Sequence, residues 1–190
     1  MLCTSGRVAE LFFNPANVGD ATEPCFVGRS ASFQCGASLR VSLHIDASQR
    51  IAEAKFKAAG CSVLVASASL LINQILGKTT GEAAALAQDT GSITEQLDAN
   101  GRSQCVAIAC EALVAAIQAY SDEVRDSWEG EQALICTCFG VSEKTIEQQI
   151  QANRLTTIAE VTAACNAGAG CRSCYPLIED ILDDCQRSKW

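Results

Sequence analysis

Two pairs of closely spaced cysteines stand near the end of the sequence. Cys136 and Cys138 form the first pair, and Cys171 and Cys174 form the second, farther along the chain. If folding brings two such pairs together, four thiolates can surround a soft metal ion or an iron–sulfur cluster. The spacing therefore predicts a four-thiolate ligand set.

The close spacing of the first pair helps to choose between zinc and an iron–sulfur cluster. Structural zinc sites usually separate their cysteines by two to four residues, whereas a single residue separates Cys136 from Cys138. Both pairs are predicted to lie in loops that lead into helices, where free backbone N–H groups can stabilise an anionic cluster. Glycines at 140, 168 and 170 would allow the backbone to approach it closely. We favour an iron–sulfur cluster and keep structural zinc as the alternative.

Three further cysteines, Cys35, Cys61 and Cys105, each begin or precede a predicted element of structure. Cys61 and Cys105 would start helices, where the helix dipole favours a thiolate, so both are plausible ligands or nucleophiles. Spacing alone also fits cysteines that serve only as small buried side chains.

The other cysteines show weaker patterns. Cys110 lies about 140° around its helix from Cys105, off any shared ligand face, so we predict it in the core. Cys165 and Cys185 fall in apolar stripes and receive the same interpretation. Cys25, in a polar loop before Cys35, is the best candidate for an additional ligand.

Composition excludes several classes of function. The net charge is −8, and the sequence pattern shows no stripe of Lys and Arg of the kind that neutralises nucleic-acid phosphates, so we expect nucleic acid and anionic membranes to be poor partners. The N-terminus lacks the basic and apolar regions of an export signal, and we expect a soluble, cytoplasmic protein. Reducing cytosol disfavours disulfides, and metal binding or catalysis becomes the more probable use of the thiols.

An acidic segment that lacks apolar periodicity separates two segments in which apolar residues recur at regular intervals. We predict a linker at 121–132 between a domain at 1–120 and a domain at 133–190. The first should be mixed α and β, with a hairpin of strands at 39–45 and 51–57, a buried helix at 62–76 ending at Gly77, and a helix at 105–119. The 48% hydrophobic content suffices for such cores.

The second domain is predicted to be helical. Ser142 can cap a first helix, and Thr157 with Glu160 forms a capping box that opens a second. Pro176 fits the first turn of a third helix.

The second domain carries motifs of a known family. They read ICTCFGVSE at 135–143, LTT at 155–157, EVT at 160–162 and AGAGCRSC at 167–174. These motifs resemble the bacterioferritin-associated-ferredoxin-type 2Fe–2S domain, which is also the central module of NifU. The resemblance implies that Cys136, Cys138, Cys171 and Cys174 hold a permanent 2Fe–2S cluster.

The first domain also carries family motifs, namely NPANVG at 14–19, CG at 35–36, AKFKAAGC at 54–61, VASAS at 65–69, GKT at 77–79, and Cys105. These resemble the IscU-type scaffold that forms the N-terminal part of NifU. The resemblance implies an α+β fold and a labile 2Fe–2S or 4Fe–4S cluster assembled on Cys35, Cys61 and Cys105. A cysteine desulfurase would supply the sulfur, and apo iron–sulfur proteins would receive the cluster.

The first domain departs from the family pattern at three places. Ala37 stands where the family has Asp, Gln104 stands where it has His, and Leu97–Arg102 lacks the Leu-Pro-Pro chaperone-recognition stretch. Alanine and glutamine cannot replace an anionic oxygen or a ring nitrogen. We expect either a cluster that is held longer or a site that no longer assembles one. A homodimer sharing the cluster could complete four ligands.

Two functions follow as hypotheses. The first is a non-enzymatic scaffold that assembles and transfers clusters, with a permanent redox cluster in its second domain. The alternative is a ferredoxin-type electron carrier or redox regulator whose first domain has lost assembly. A third hypothesis is a zinc-bound protein that mediates interactions with other proteins.

Overall fold

The computed structural model describes residues 6–99, 101–127 and 133–187. They form two compact units. The first comprises the chain up to Lys78 together with Ala83–Ala119, and the second comprises Thr79–Glu82 together with the chain from Tyr120 onward.

A three-stranded antiparallel sheet organises the first unit. Its strands are β1 (Phe26–Ser32), β2 (Ala37–Ile45) and β3 (Ile51–Ala59), in the order β1-β2-β3. Alternate residues of β2 are fully buried, as the predicted hairpin requires, and Val41 lies opposite Phe56 in the core. The β2–β3 hairpin confirms the sequence prediction.

The hairpin prediction missed β1, for a physical reason. The inward positions of β1 include Gly28 and Ser30, which give no apolar alternation. A Cβ atom at Gly28 would lie 2.1 Å from the carbonyl oxygen of Ala112, so only glycine allows a helix to pack this closely on the strand.

Five helices precede or follow the strands of this sheet in the described part of the chain up to Asp126. They are α1 (Gly6–Phe13), α2 (Ser62–Ile75), α3 (Thr80–Gln88), α4 (Thr90–Gln96) and α5 (Ser103–Asp126). Most residues of α2 are buried, which confirms the prediction of a buried helix. Gly77 follows it with a φ of 74°, a conformation that glycine adopts readily just after a helix.

Helix α5 corrects two predictions. It begins at Ser103 and continues to Asp126, so residues 121–126 of the predicted linker are helical; residues 128–132 lie outside the described part of the chain. By length and composition α5 could also cross a membrane. Its Val106, Leu113 and Ile117 are, however, buried within the protein.

The second unit contains β4 (Leu134–Cys136), β5 (Val141–Ser142), α6 (Glu143–Asn153), α7 (Ile158–Cys165) and α8 (Tyr175–Arg187). Ser142 caps α6 by accepting a hydrogen bond from the backbone N–H of Thr145, and Thr157 and Glu160 form the predicted capping box. The second unit is mainly helical, as predicted, and β4 and β5 add a short antiparallel hairpin. Cys136 is therefore the last residue of a strand rather than part of a loop.

Candidate metal centres

The four predicted cysteines of the second unit meet in two pairs. Cys138 lies in the turn between β4 and β5, and Cys171 lies in the loop between α7 and α8; their Sγ atoms are 3.3 Å apart. Cys136 and Cys174 form the other pair through a thiol–thiol hydrogen bond. Among the described residues, no three Cys, His, Asp or Glu groups converge on a single metal ion. Paired thiols fit a cluster with more than one iron better than a lone ion.

A glycine, Gly170, lies beside one of these thiol pairs. A Cβ atom at Gly170 would lie 3.0 Å from the Cβ and 3.2 Å from the Sγ of Cys138. Contacts this short are tighter than a Cβ atom normally makes, so a larger residue at 170 would require the Cys138 side chain to shift by a few tenths of an ångström.

The four thiols differ in their electrostatic surroundings. The Ser173 hydroxyl, whose Oγ lies 2.9 Å from the Cys171 Sγ, lowers the pKa of that exposed thiol to about 7. Burial and the neighbouring Cys136 raise the pKa of Cys174 to about 11. For Cys138, the backbone N–H of Cys171 lowers the pKa, but burial and the Cys171 thiol together outweigh it and raise the pKa. Neighbouring thiolates repel each other, and a bound cation removes this penalty. An all-sulfur donor set of this kind fits an iron–sulfur cluster.

The first unit brings its three predicted cysteines to one cavity of about 350 Å³. Cys61 is the N-cap residue of α2, and Cys105 lies in the first turn of α5; their Sγ atoms are 3.3 Å apart. Cys35 lies in the turn between β1 and β2 and lines the same cavity. The turn contains Gly36 at a φ of 67°, which favours glycine.

Hydrogen bonds favour the thiolate at two of these three positions. The Ser32 hydroxyl and the backbone N–H of Ala37 lower the pKa of Cys35. Burial acts to raise the pKa of Cys61, but backbone N–H groups at the start of α2, the Cys105 thiol and the Arg102 cation outweigh it and lower the pKa. Burial and Cys61 raise the pKa of Cys105 to about 11. The contact between the two thiols therefore favours the thiolate at Cys61 and the protonated thiol at Cys105.

Two residues that depart from the family pattern lie at this cavity. Ala37 and Gln104 both line it, Ala37 being only 2% exposed and Gln104 exposed. No carboxylate or imidazole group is among the described residues that line the cavity. Ligation by the described lining would thus depend on sulfur.

Sequence reasoning missed two polar residues at these sites. Arg102 lines the cysteine cavity and lowers the pKa of Cys61 through its positive charge. Ser173 binds Cys171 as described above. The position of Ser173 between two ligand cysteines was a usable signal, whereas no motif pointed to Arg102.

The remaining cysteines lie elsewhere. The interpretation of Cys25 as an extra ligand was wrong, because it precedes β1, at the opposite end of that strand from Cys35, where its thiol donates to Glu23. Cys110 and Cys165 are buried in the cores of their units, as predicted. Cys185 is only half-buried and was wrongly assigned to the core.

Fold and sites together define a class of protein: an α+β domain with three thiols at one cavity, combined with a small domain that carries four thiols in pairs. The chain belongs to the family of the NifU-like N terminal domain, whose model matches residues 4–126. The model of the BFD-like [2Fe-2S] binding domain matches residues 134–184. Both matches confirm the family resemblance that the motifs indicated.

Proteins with similar sequences include nitrogen fixation proteins named NifU and a scaffold protein named IscU. Nitrogen fixation protein NifU of Azospirillum brasilense is 38% identical over 93% of this chain and 58% of its own length. NifU of Trichormus azollae is 36% identical, over 96% of this chain and 64% of its own length. The iron-sulfur cluster assembly scaffold protein IscU of Haemophilus influenzae is 31% identical over 61% of this chain and 94% of its own length. The chain thus spans about three fifths of the length of the NifU proteins it matches.

Solved structures confirm the fold of the first domain. A putative iron-sulfur cluster assembly scaffold protein for the SUF system, from Fervidobacterium islandicum, aligns with a TM-score of 0.54 at 22% identity, covering 59% of this chain and 94% of that one. The N-terminal part of a nitrogen-fixing NifU-like protein from Brucella abortus aligns with a TM-score of 0.55 at 18% identity, covering 62% of this chain and 94% of that one.

Proposed function

We propose that this protein is an iron–sulfur cluster assembly scaffold. The observation that carries the proposal is the convergence of Cys35, Cys61 and Cys105 on one cavity, within a domain of the NifU-like family. In this role the protein holds iron and sulfide as cargo and hands the cluster to apo iron–sulfur proteins in the cytoplasm. It binds and releases a product made on its own thiols, and it is not a turnover enzyme.

The second domain holds a resident 2Fe–2S cluster in this proposal. Its match to a [2Fe-2S] binding domain and its two thiol pairs support Cys136, Cys138, Cys171 and Cys174 as the ligands. The cluster supplies one-electron chemistry when bound. The chain's own contribution is to bring the ligands together and, through Ser173, to offer a hydrogen bond to one ligand sulfur.

Sulfur enters the first domain from a cysteine desulfurase. Cys35 is the exposed thiol of the three, and hydrogen bonds lower its pKa. A thiolate there can attack the terminal sulfur of the desulfurase persulfide; the new S–S bond forms on Cys35, and the desulfurase thiolate leaves. Cys61 and Cys105 lie on the same cavity, ready to take up iron beside the sulfur.

Ala37 and Gln104 affect how the cargo is held. A cluster bound by three thiolates alone lacks the oxygen or nitrogen ligand of the family pattern. We infer slower release than from a scaffold with that ligand, and a homodimer could provide the missing fourth thiolate. The same residues support the alternative function, a ferredoxin-type electron carrier with a first domain that no longer assembles clusters.

An anaerobic assembly assay separates the two functions. The full-length protein is incubated with a cysteine desulfurase, cysteine, a reductant and ferrous iron, and iron and acid-labile sulfide are then counted. The scaffold gains iron and sulfide beyond its resident cluster and passes them to an apo-ferredoxin. The matched control is Cys35→Ala/Cys61→Ala/Cys105→Ala, which should keep the resident cluster and gain nothing. A wild-type protein that gains nothing either would support the electron carrier.

A further inference from the structure

Three cationic side chains form a continuous row across the sheet of the first unit. Arg29 on β1 lies directly opposite Arg40 on β2, and Arg40 lies directly opposite Lys57 on β3. Like charges placed directly opposite each other destabilise a sheet. Such a row is unexpected in a protein with a net charge of −8, and departures from local pairing rules concentrate at functional sites.

The basic row borders a cavity of about 530 Å³ on the same face of the sheet. The neighbouring row, one step closer to the β1–β2 turn, consists of Ala31, Ser38 and Ala59. These small side chains form a floor and leave open space beside the long basic ones. The volume falls within the range of sites for small molecules.

One internal carboxylate neutralises part of the row. The two carboxylate oxygens of Asp20 pair separately with Arg40 and Lys57. Among the described residues the Arg29 side chain has no ion-pair partner, and the buried Nε of Arg40 has no acceptor. Three positive charges and one negative charge leave an excess of two positive charges.

The cavity beside the basic row is separate from the cysteine cavity, although the residues that line the two cavities are close in the sequence. The two cavities share no lining residue. On this face of the sheet, Ala31, Ser38 and Ala59 are nevertheless the last row before the turn that carries Cys35, and Ala59 precedes Cys61 by two residues. The anion site is therefore close to the thiol ligands in the sequence but uses none of them.

We propose that the basic row of Arg29, Arg40 and Lys57 is a binding site for a small dianion with phosphate or carboxylate oxygens. The excess charge matches two negative charges, and guanidinium groups bind such oxygens in a bidentate manner. Neighbouring strands are about 4.8 Å apart, so three basic groups span roughly 10 Å, which suits a compact anion. Asp20 is the internal competitor that the ligand would displace from Arg40 and Lys57.

Calorimetric titration of the full-length protein at low ionic strength tests this site, with inorganic phosphate and succinate as separate probes. We expect saturable binding of at least one probe, with a stoichiometry of one per chain. Binding of phosphate alone would identify an oxyanion site, and binding of succinate alone would identify a dicarboxylate site. Amide chemical-shift changes should concentrate on β1, β2 and β3.

Two variants are expected to change the binding affinity in opposite directions, which makes the test specific to this site. Arg29→Gln should weaken binding about tenfold, since it removes a charge-assisted hydrogen bond. Asp20→Asn should strengthen binding, because it removes the competing carboxylate. Lys144→Gln and Asp180→Asn make the same charge changes on α6 and α8 and should leave the affinity within about twofold, because neither residue lines the cavity.

Two results would overturn the proposal. One is the failure of both anions to bind wild-type protein whose amide spectrum shows an intact fold. The other is binding that changes equally in Arg29→Gln and Lys144→Gln, which would show only a general effect of net charge. Neither result bears on cluster assembly, which uses different residues.

Discussion

The Sγ atoms of Cys61 and Cys105 lie 3.3 Å apart, although one residue caps α2 and the other lies in the first turn of α5. This contact joins the starts of two core helices. It places two potential ligands within reach of the same iron, and it brings both thiols under the influence of Arg102.

Removing one member of this pair should abolish assembly on the first domain. We expect Cys105→Ala to gain no iron or sulfide in the desulfurase assay, while the visible absorption of the resident cluster is retained. Cys110→Ala is the matched control, since that thiol is on the same helix but buried away from the cavity. Equal loss of assembly in both variants would indicate damage to the helix rather than loss of a ligand.

Gly170→Ala should impair the resident cluster. The added methyl group would press on Cys138, and overpacking of this kind costs about 1–3 kcal/mol. We expect a lower iron content after purification and faster loss of cluster absorption in the presence of a chelator. Gly91→Ala places a methyl group in ordinary contact distance of its surroundings and should leave both measurements unchanged.

Ser173→Ala tests the hydrogen bond to Cys171. Hydrogen bonds to ligand sulfurs stabilise the more negative, reduced cluster, so their loss lowers the reduction potential. We expect a more negative potential in a spectroelectrochemical titration, with unchanged iron content. A Ser127→Ala control removes a hydroxyl that bonds to the Val124 carbonyl instead of to a thiol. A potential that stays constant in Ser173→Ala would argue against this role.

Ala37→Asp should restore rapid release of the cluster but lower the stability of the apo-protein. Position 37 is buried, and an unpaired carboxylate there is unfavourable until a metal ion approaches it. We expect faster cluster transfer to an apo-ferredoxin than from wild type, together with a lower thermal midpoint of the apo form. Ala37→Asn has nearly the same shape without the charge. If it speeds transfer as much as aspartate does, oxygen ligation by an anion is not the cause.

The capping box of α7 should make the stability of that helix depend on pH. Hydrogen bonds from the Thr156 backbone N–H and from Thr157 lower the pKa of Glu160. A carboxyl whose pKa is lower in the folded state stabilises that state above its unfolded pKa, and the effect is lost as pH falls through the folded pKa. Glu160→Gln should therefore speed hydrogen exchange of α7 amides at neutral pH, with a difference that shrinks in acid. Glu179→Gln, on the exposed face of α8, should show no such trend.

Most structural features that depend on a few neighbouring residues could be predicted from the sequence. The alternation in β2, the buried α2 and the capping box of Thr157 and Glu160 were visible because each depends on a few neighbouring residues. The seven cysteines were found through spacing and family motifs, and the structure places three of them at one cavity and the other four in two pairs.

Features that depend on long-range packing could not be predicted. The strand β1 has glycine and serine on its inward face because α5 lies against it, and that contact is invisible in a local window. The row of Arg29, Arg40 and Lys57 exists only through the register of three strands, since nothing in their sequence positions marks them as neighbours. Cys25 was misinterpreted because the seven-residue strand β1 separates it from the turn that carries Cys35.

The close contact between Gly28 and α5 also sets a dimension of the thiol site. Strand β1 leads into the turn that carries Cys35, and α5 carries Cys105, so the strand-to-helix spacing at Gly28 helps to fix how far apart those sulfurs can be. A larger residue at 28 would push the helix away from the sheet and widen the gap that a cluster must bridge. Gly28, which has no functional side chain, thus helps to set the spacing of the thiols in the proposed assembly site.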